Sequence, residues 1–246
     1  MSYTKEEQQL LDEKYAGTVT DAFAVDCARL TKGEPLAYVI GTQPFLGLSI
    51  HLDSRPLIPR PETEDWTEKA IQMLLQESGP VSVLDLCAGS GAIGCAVLKH
   101  VPQAEVWFAE QDPAHEKTIQ KNIEANNLDA SRAHIVSGDL FAPLKDKKFS
   151  FILTNPPYIP EDRVLPDSVT AYEPHTALFS GPDGLTLIRR IASSAQEYLL
   201  PGGQIWLECD TEHVEGAARC FWGRAYRVDI RKDQYGRPRY IVGYYP

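Results

Sequence analysis

Positive charge is in short supply in this chain. Its 246 residues carry 24 Lys and Arg against 34 Asp and Glu, a formal net charge of −10. Proteins that live on phosphate backbones usually present a basic face. None is evident here, so direct nucleic-acid contact is disfavoured and a basic or peptide-like partner is easier to accommodate. Long apolar runs are also missing, so no membrane span is expected. The opening Met-Ser-Tyr-Thr-Lys-Glu-Glu has neither the apolar core of a secretory signal nor the Arg-rich character of a transit peptide. Cys27, Cys87, Cys95, Cys209 and Cys220 are odd in number, scattered and without Cys-x-x-Cys spacing. That argues against a disulfide framework or zinc site and reads as reduced thiols in a cytoplasmic protein. The histidines show no His-x-x-x-His or His-x-x-Glu cluster, so no metal site is expected. Internal repeats and low-complexity stretches are absent too.

What is present is patterned. Thr4 with Glu7 fits a capping box for a helix over residues 4–15. A second helix is predicted over 20–32, with Phe23, Cys27 and Leu30 on its apolar face and Gly33 and Pro35 ending it. Val39-Ile40 and residues 48–52 look like two short strands around a Gly41–Gly47 connection, a hairpin. Pro56, Pro59 and Pro61 then form a stiff linker. A helix over 62–76 follows, with Trp66, Ala70, Ile71 and Leu74 on one face. From Val81 strands and helices alternate: strands at 81–86, 104–109, 133–136, 149–154 and 204–209, helices at 91–100, 113–127 and 184–200. Two further strands, 226–230 and 239–244, flank a turn at 234–236. This order predicts an α/β fold: a mostly parallel sheet covered on both faces, with an antiparallel pair at one edge. Three parts are expected: a short helical subdomain (1–32), a hairpin and proline-rich linker (33–61), and the α/β domain (62–246).

The chemistry sits at strand ends. The strand at 81–86 runs into Asp85-Leu-Cys-Ala-Gly-Ser-Gly91, and Gly94 follows. Glycines there allow a tight turn and close backbone approach to a ligand. Asp85 beside that turn would repel a pyrophosphate; it suits a cationic ligand without phosphate, as S-adenosylmethionine is. Glu110, ending the next strand, can bind both hydroxyls of an adenosine ribose. Asp139, in Gly138-Asp-Leu-Phe141, can accept an adenine amino group while Leu140 or Phe141 packs near the ring. Asn155-Pro156-Pro157-Tyr158 ends another apolar strand. Consecutive prolines lack N–H groups and keep the preceding residue out of helical space. The carbonyls of Asn155 and Pro156 are thereby left without local helical partners. With the Asn155 side-chain oxygen they can receive a planar NH2 group, on which Tyr158 can stack. An enzyme acting on an amide or exocyclic amino nitrogen follows; an ordinary proline-rich turn is the plain alternative.

Asp-Leu-Cys-Ala-Gly-Ser-Gly, Glu110, Gly-Asp139 and Asn-Pro-Pro-Tyr occur in the order typical of class I methyltransferases that modify nitrogen. Gly33-Glu-Pro-Leu-Ala-Tyr-Val-Ile-Gly41, Phe45-Leu-Gly47 and Leu57-Ile-Pro-Arg-Pro-Glu-Thr-Glu64 narrow this further. Together with Tyr172-Glu-Pro-His-Thr-Ala-Leu178, Gly181-Pro-Asp-Gly-Leu185 and the segment from Asp233 to Arg239, they resemble the HemK/PrmC family of release-factor glutamine N5-methyltransferases over about residues 33–246.

The resemblance implies a Rossmann-like class I methyltransferase with a seven-stranded, mostly parallel sheet and an antiparallel edge hairpin. It implies S-adenosylmethionine held by Asp85, Cys87, Ala88, Gly89, Ser90, Gly91, Glu110, Asp139, Leu140 and Asn155. It implies catalysis by Asn155, Pro156 and Tyr158, and substrate contact by these with Pro157, Arg60 and Glu62. The substrate would be the glutamine of a release factor's Gly-Gly-Gln loop, met by a monomeric chain. Cys87 stands where the family often has glycine, Cys209 near such a position, and only about 32 residues precede Gly33 where the family usually has a longer helical domain. Two other readings are compatible with these residues: a nucleic-acid methyltransferase acting on adenine N6 or guanine N2, since the same acceptors would hold an extruded base, and a catalytically silent binding module.

Overall fold

Thr4 opens the first helix, α1 (Lys5–Tyr15), through the expected capping box: its hydroxyl accepts the Glu7 N–H and the Glu7 carboxylate accepts the Thr4 N–H. The computed structural model describes residues 3–224 and 226–246, so Met1 and Ser2 of the expected first subdomain lie outside the description. Thr20 caps α2 (Asp21–Thr31). A short α3 (Leu36–Ile40) follows. Leu10, Leu11, Phe23 and Val39 pack these three helices around a small core separate from the two that line the sheet.

The hairpin exists, but one segment later than expected at its first strand. Val39-Ile40 lies in α3, and the strands are β1 (Thr42–Phe45) and β2 (Leu48–His51). Gly41 is the reason: at φ 98° it is the left-handed stop of a helix, not the end of a strand. The turn residues Leu46 (φ 45°) and Gly47 (φ 74°) are both left-handed, as a two-residue hairpin turn requires.

The main sheet follows the alternation predicted from the sequence. After α4 (Pro61–Leu74) come β3 (Val81–Leu86), α5 (Ala92–His100), β4 (Ala104–Glu110), α6 (Glu116–Ala125), β5 (Ala133–Ser137), β6 (Phe149–Thr154), α7 (Asp167–Thr170), α8 (Thr186–Tyr198), β7 (Leu199–Glu208), α9 (Val214–Phe221), β8 (Arg227–Lys232) and β9 (Pro238–Tyr244). The strand order is β5-β4-β3-β6-β7-β9-β8, parallel throughout except where β9 pairs with β7 and β8. Apolar residues of α4, α5, α6 and the hairpin cover one face. Those of α8 and α9 cover the other. α7 and α9 were not anticipated from the sequence. Among the described residues, no helix is long and apolar enough to cross a membrane.

Order and register decide where the polar strand ends fall. β4, β3, β6 and β7 are consecutive neighbours running the same way, so their carboxyl ends share one edge. Thr154 pairs with Leu207, which puts Asn155 level with Glu208. Ligands of such open sheets bind at this edge, where strand order reverses about β3.

Candidate active site

The turn after β3 is held in left-handed backbone at Cys87 (φ 63°), Gly89 (φ 54°) and Gly91 (φ 77°). Cys87 bears a Cβ there, a conformation that costs an L-residue about 1–2 kcal/mol. The turn is anchored by its neighbours: the N–H groups of Cys87 and Ala88 both donate to the Ala109 carbonyl. Gly94 lies against the Phe108 ring so closely that a Cβ would stand 2.3 Å from Cε1. This contact seats α5 on β4.

Asp85 is completely buried and does not reach the cavity. One carboxylate oxygen accepts the Gly94 N–H at 2.8 Å, and the other has no partner. Burial pushes the Asp85 carboxyl up to about 8; the Glu110 charge adds to this and the Gly94 N–H opposes it. Asp85 therefore braces the glycine turn from beneath.

Glu110 does line the cavity. Its carboxylate accepts N–H groups from Gly89 (2.7 Å), Gln111 (2.9 Å) and Asp112 (3.0 Å), locking the two strand-end turns together. The cavity measures about 390 Å³, within the range of small-molecule sites. Cys87, Ala88, Gly89 and Ser90 wall one side, and Leu140, Asn155 and Pro157 another. Among the described residues lining it there is no Lys or Arg to pair with a phosphate. An acid at the end of β4 and a wall without Lys or Arg fit S-adenosylmethionine, which carries no phosphate.

The proline-rich linker forms the rest of the wall. Leu57 and Pro59 line the cavity. The linker is tied at one end by Ser54, which bonds His115 and Thr118 at 2.7 Å each. At the other end the buried Glu173 accepts the Ile58 N–H at 3.1 Å and pairs with the Arg60 guanidinium. Arg60 is thus committed to a structural pair and does not line the cavity. Glu62 faces Arg237 at 3.6 Å, also outside the cavity wall.

Asn155 enters the cavity from the end of β6, and its Nδ2 donates to the Thr63 hydroxyl at 3.1 Å. Thr63 donates to Glu208 at 2.7 Å, and Trp66 Nε1 donates to the same carboxylate oxygen at 2.7 Å. The Tyr158 hydroxyl donates to the other oxygen at 2.9 Å. Burial, followed by the neighbouring Glu208 charge, pushes the Tyr158 phenol well up. Pro156 is buried behind the cavity surface, and Tyr158 points its hydroxyl into the protein.

Asp139 is also placed differently from the sequence expectation. Its carboxylate pairs with Arg190 at 2.5 Å and is half exposed, while its neighbours Gly138 and Leu140 line the cavity. The structure thus gathers Cys87, Ala88, Gly89, Ser90, Glu110, Leu140, Asn155 and Pro157 on one surface. It sets Asp85, Gly91, Pro156 and Tyr158 behind that surface, and turns Asp139, Arg60 and Glu62 to other partners.

Thr63, Glu173 and Glu208 were not singled out from the sequence. Glu208 carried the signal that marked Asp85 and Glu110, an acid at the end of an apolar strand. Thr63 lies inside the Arg60–Glu64 element. Glu173 lies inside the Tyr172–Leu178 segment, which carried the resemblance but pointed to no partner.

Residues 65–171 match the family model described as "Methyltransferase small domain". A curated relative, the release factor glutamine methyltransferase of Geobacter sulfurreducens, is 41% identical over 190 residues; the match covers 76% of this chain and 65% of that one. The corresponding protein of Streptococcus pneumoniae is 33% identical over 243 residues, covering 97% of this chain and 81% of that one. The chain belongs to the release factor glutamine methyltransferase family. A solved methyltransferase from Pyrococcus furiosus shares the fold at a TM-score of 0.59 and 18% identity, covering 90% of this chain and 98% of that one. Family membership gives the cavity its meaning, because methyltransferases of this fold draw their methyl group from S-adenosylmethionine. The Geobacter match spans just under two thirds of that relative's length, and the Streptococcus match about four fifths.

Proposed function

We propose that this chain transfers a methyl group from S-adenosylmethionine to the side-chain amide nitrogen of the glutamine in a release factor's Gly-Gly-Gln loop. It would act as a cytoplasmic monomer without direct nucleic-acid contact. The observation that carries the reading is the position of Asn155: its amide shares one cavity with the glycine turn and with Glu110. Glu110 would hold the ribose, and the turn at Cys87–Ser90 would pack along the rest of the cofactor. When bound, S-adenosylmethionine supplies an electrophilic methyl on a sulfonium centre.

An amide nitrogen is a weak nucleophile, since its lone pair is delocalised into its carbonyl. The protein's contribution is then chiefly position. The Asn155 Oδ1, on the cavity wall, would accept one substrate N–H bond and aim the nitrogen along the cavity; the Pro156 carbonyl would accept the other only where the substrate reaches past the wall behind which Pro156 is buried. Orientation of this kind supplies about 7–11 kcal/mol of barrier reduction. The same oxygens stabilise positive charge as it develops on that nitrogen. Pro157 closes the cavity beside them, and Tyr158 holds the loop.

The test is methyl transfer from labelled cofactor to an unmodified release factor, with its Gln→Ala variant and duplex DNA alongside. Label on that glutamine alone supports the reading; label on DNA replaces it with base methylation. Asn155→Ala should abolish transfer and leave cofactor binding nearly intact, and near-normal turnover by that variant would sink the assignment.

A further inference from the structure

The amide of Asn155 can point two ways, and only one of them suits an NH2 substrate. Oδ1 toward the cavity accepts an N–H. Nδ2 toward the cavity donates, and would favour a carboxylate or carbonyl oxygen. The surrounding protons decide between the two. Glu208 is buried and receives three donors: Thr63 and Trp66 on one oxygen, Tyr158 on the other. Burial pushes the Glu208 carboxyl up, while these three hydrogen bonds and the Arg239 charge favour its ionised form, and the ionised carboxylate only accepts. Thr63 has a single hydroxyl proton, and Glu208 takes it at 2.7 Å. The Thr63 oxygen is therefore left as an acceptor, and only the Nδ2 end of Asn155 can face it, at 3.1 Å. A flipped amide would set two oxygens against each other with no proton between them.

We propose that Glu208, acting through Thr63, is the positioning residue that locks Asn155 with its oxygen toward the substrate and so makes the site select glutamine over glutamate. The inference rests on the function proposed above for its substrate, though not for the orientation itself. Glu208, at the end of β7, lies outside the cavity wall, and Thr63, in the first turn of α4, lines it beside Asn155, so the selection for an amide is set from behind the wall through one hydroxyl.

The test uses isosteric and conservative changes at Thr63. Thr63→Val keeps the volume and removes the hydroxyl; Thr63→Ser keeps the hydroxyl. For each variant, kcat and KM are measured on a release factor, together with the Ki of the same factor carrying Glu in place of the glutamine. Cofactor affinity is measured alongside, because Thr63 also lines the cavity, so that any change in it is separated from the Gln-over-Glu preference. Thr63→Val should lower kcat and narrow the Gln-over-Glu preference by about tenfold each, the worth of one neutral hydrogen bond. Thr63→Ser should stay within about threefold of wild type on the same scale. A Thr63→Val enzyme with an unchanged preference, or a Thr63→Ser enzyme that behaves like Thr63→Val, overturns the proposal. The side-chain NH2 resonances of Asn155, read by NMR without substrate, test the orientation separately. They should be held in wild type and Thr63→Ser and released in Thr63→Val. Wild-type enzyme that leaves release factors unlabelled while these resonances respond as expected would count against the substrate assignment alone. Resonances that ignore Thr63→Val count against the lock whatever the substrate.

Discussion

Gly94→Ala should destabilise this protein, although Ala is the better helix former. Gly94 is the third residue of α5, and replacing a helical Gly by Ala ordinarily stabilises by about 1 kcal/mol. Here the added Cβ would lie 2.3, 2.8 and 2.9 Å from three atoms of the Phe108 ring. Carbon pairs settle at about 3.5–4.0 Å, so ring or helix must shift by roughly an ångström. Phe108 is completely buried and packed within the core cluster that includes Ile93, Val97 and Ile119. Overpacking of this kind costs about 1–3 kcal/mol, and contacts this short belong at its upper end, which outweighs the helix gain and leaves a net loss of about 2 kcal/mol. For a domain of this size each kcal/mol lowers Tm by about 2–4 °C. The damage should also reach the cofactor, because the Gly94 N–H is the donor that holds Asp85 beneath the glycine turn. Urea unfolding with and without S-adenosylmethionine measures both effects. Phe108→Leu makes room for the Cβ, so the double variant should be more stable than the sum of the single changes by about 1 kcal/mol or more. A Gly94→Ala protein as stable as wild type, or additive energies in the cycle, would refute the packing argument.

Two further outcomes are expected. The raised Asp85 carboxyl means that folding takes up a proton between about 4 and about 8, so its contribution to stability is lost as pH rises through that window. Without cofactor, Asp85→Asn should match wild type near the acid end and exceed it by a few kcal/mol, to order of magnitude, above the alkaline end; equal pH slopes for the two proteins in urea titrations would refute this. Cys87→Gly should leave cofactor affinity within about threefold, because glycine adopts φ 63° without strain and keeps the turn's backbone in place. Cys87→Val should weaken binding sharply, since a β-branched side chain is a genuine outlier at φ 63°; calorimetry that finds both variants alike would contradict the strain argument.

Much of this molecule was legible in the sequence because its signals are local. Alternating strands and helices announced a parallel sheet, the Thr4–Glu7 spacing announced a helix start, and Asn-Pro-Pro-Tyr after an apolar strand marked a segment that puts Asn155 and Pro157 on the cavity wall. Glu110 could be placed because a strand-end acid in such a sheet has one side of the molecule to face. The first hairpin strand was misplaced because Gly41 serves equally well in sequence terms as a strand end or a helix stop. The structure chose the helix stop: Gly41 is left-handed and its N–H closes α3 on the Ala37 carbonyl.

The roles of the other charged residues depend on partners far away in sequence. Arg60 meets Glu173, Asp139 meets Arg190, and Thr63 meets Glu208, each across more than 50 residues of chain. A charged or polar side chain seeks the nearest group that satisfies it, and in a folded chain that group is set by strand order and register. The sequence by itself determined the fold class, the strand-end edge and the chemical kind of its residues. Only the tertiary structure decided which of them face the cavity and which are spent holding it open, because hydrogen-bond satisfaction in a buried site is a property of neighbours brought together by folding.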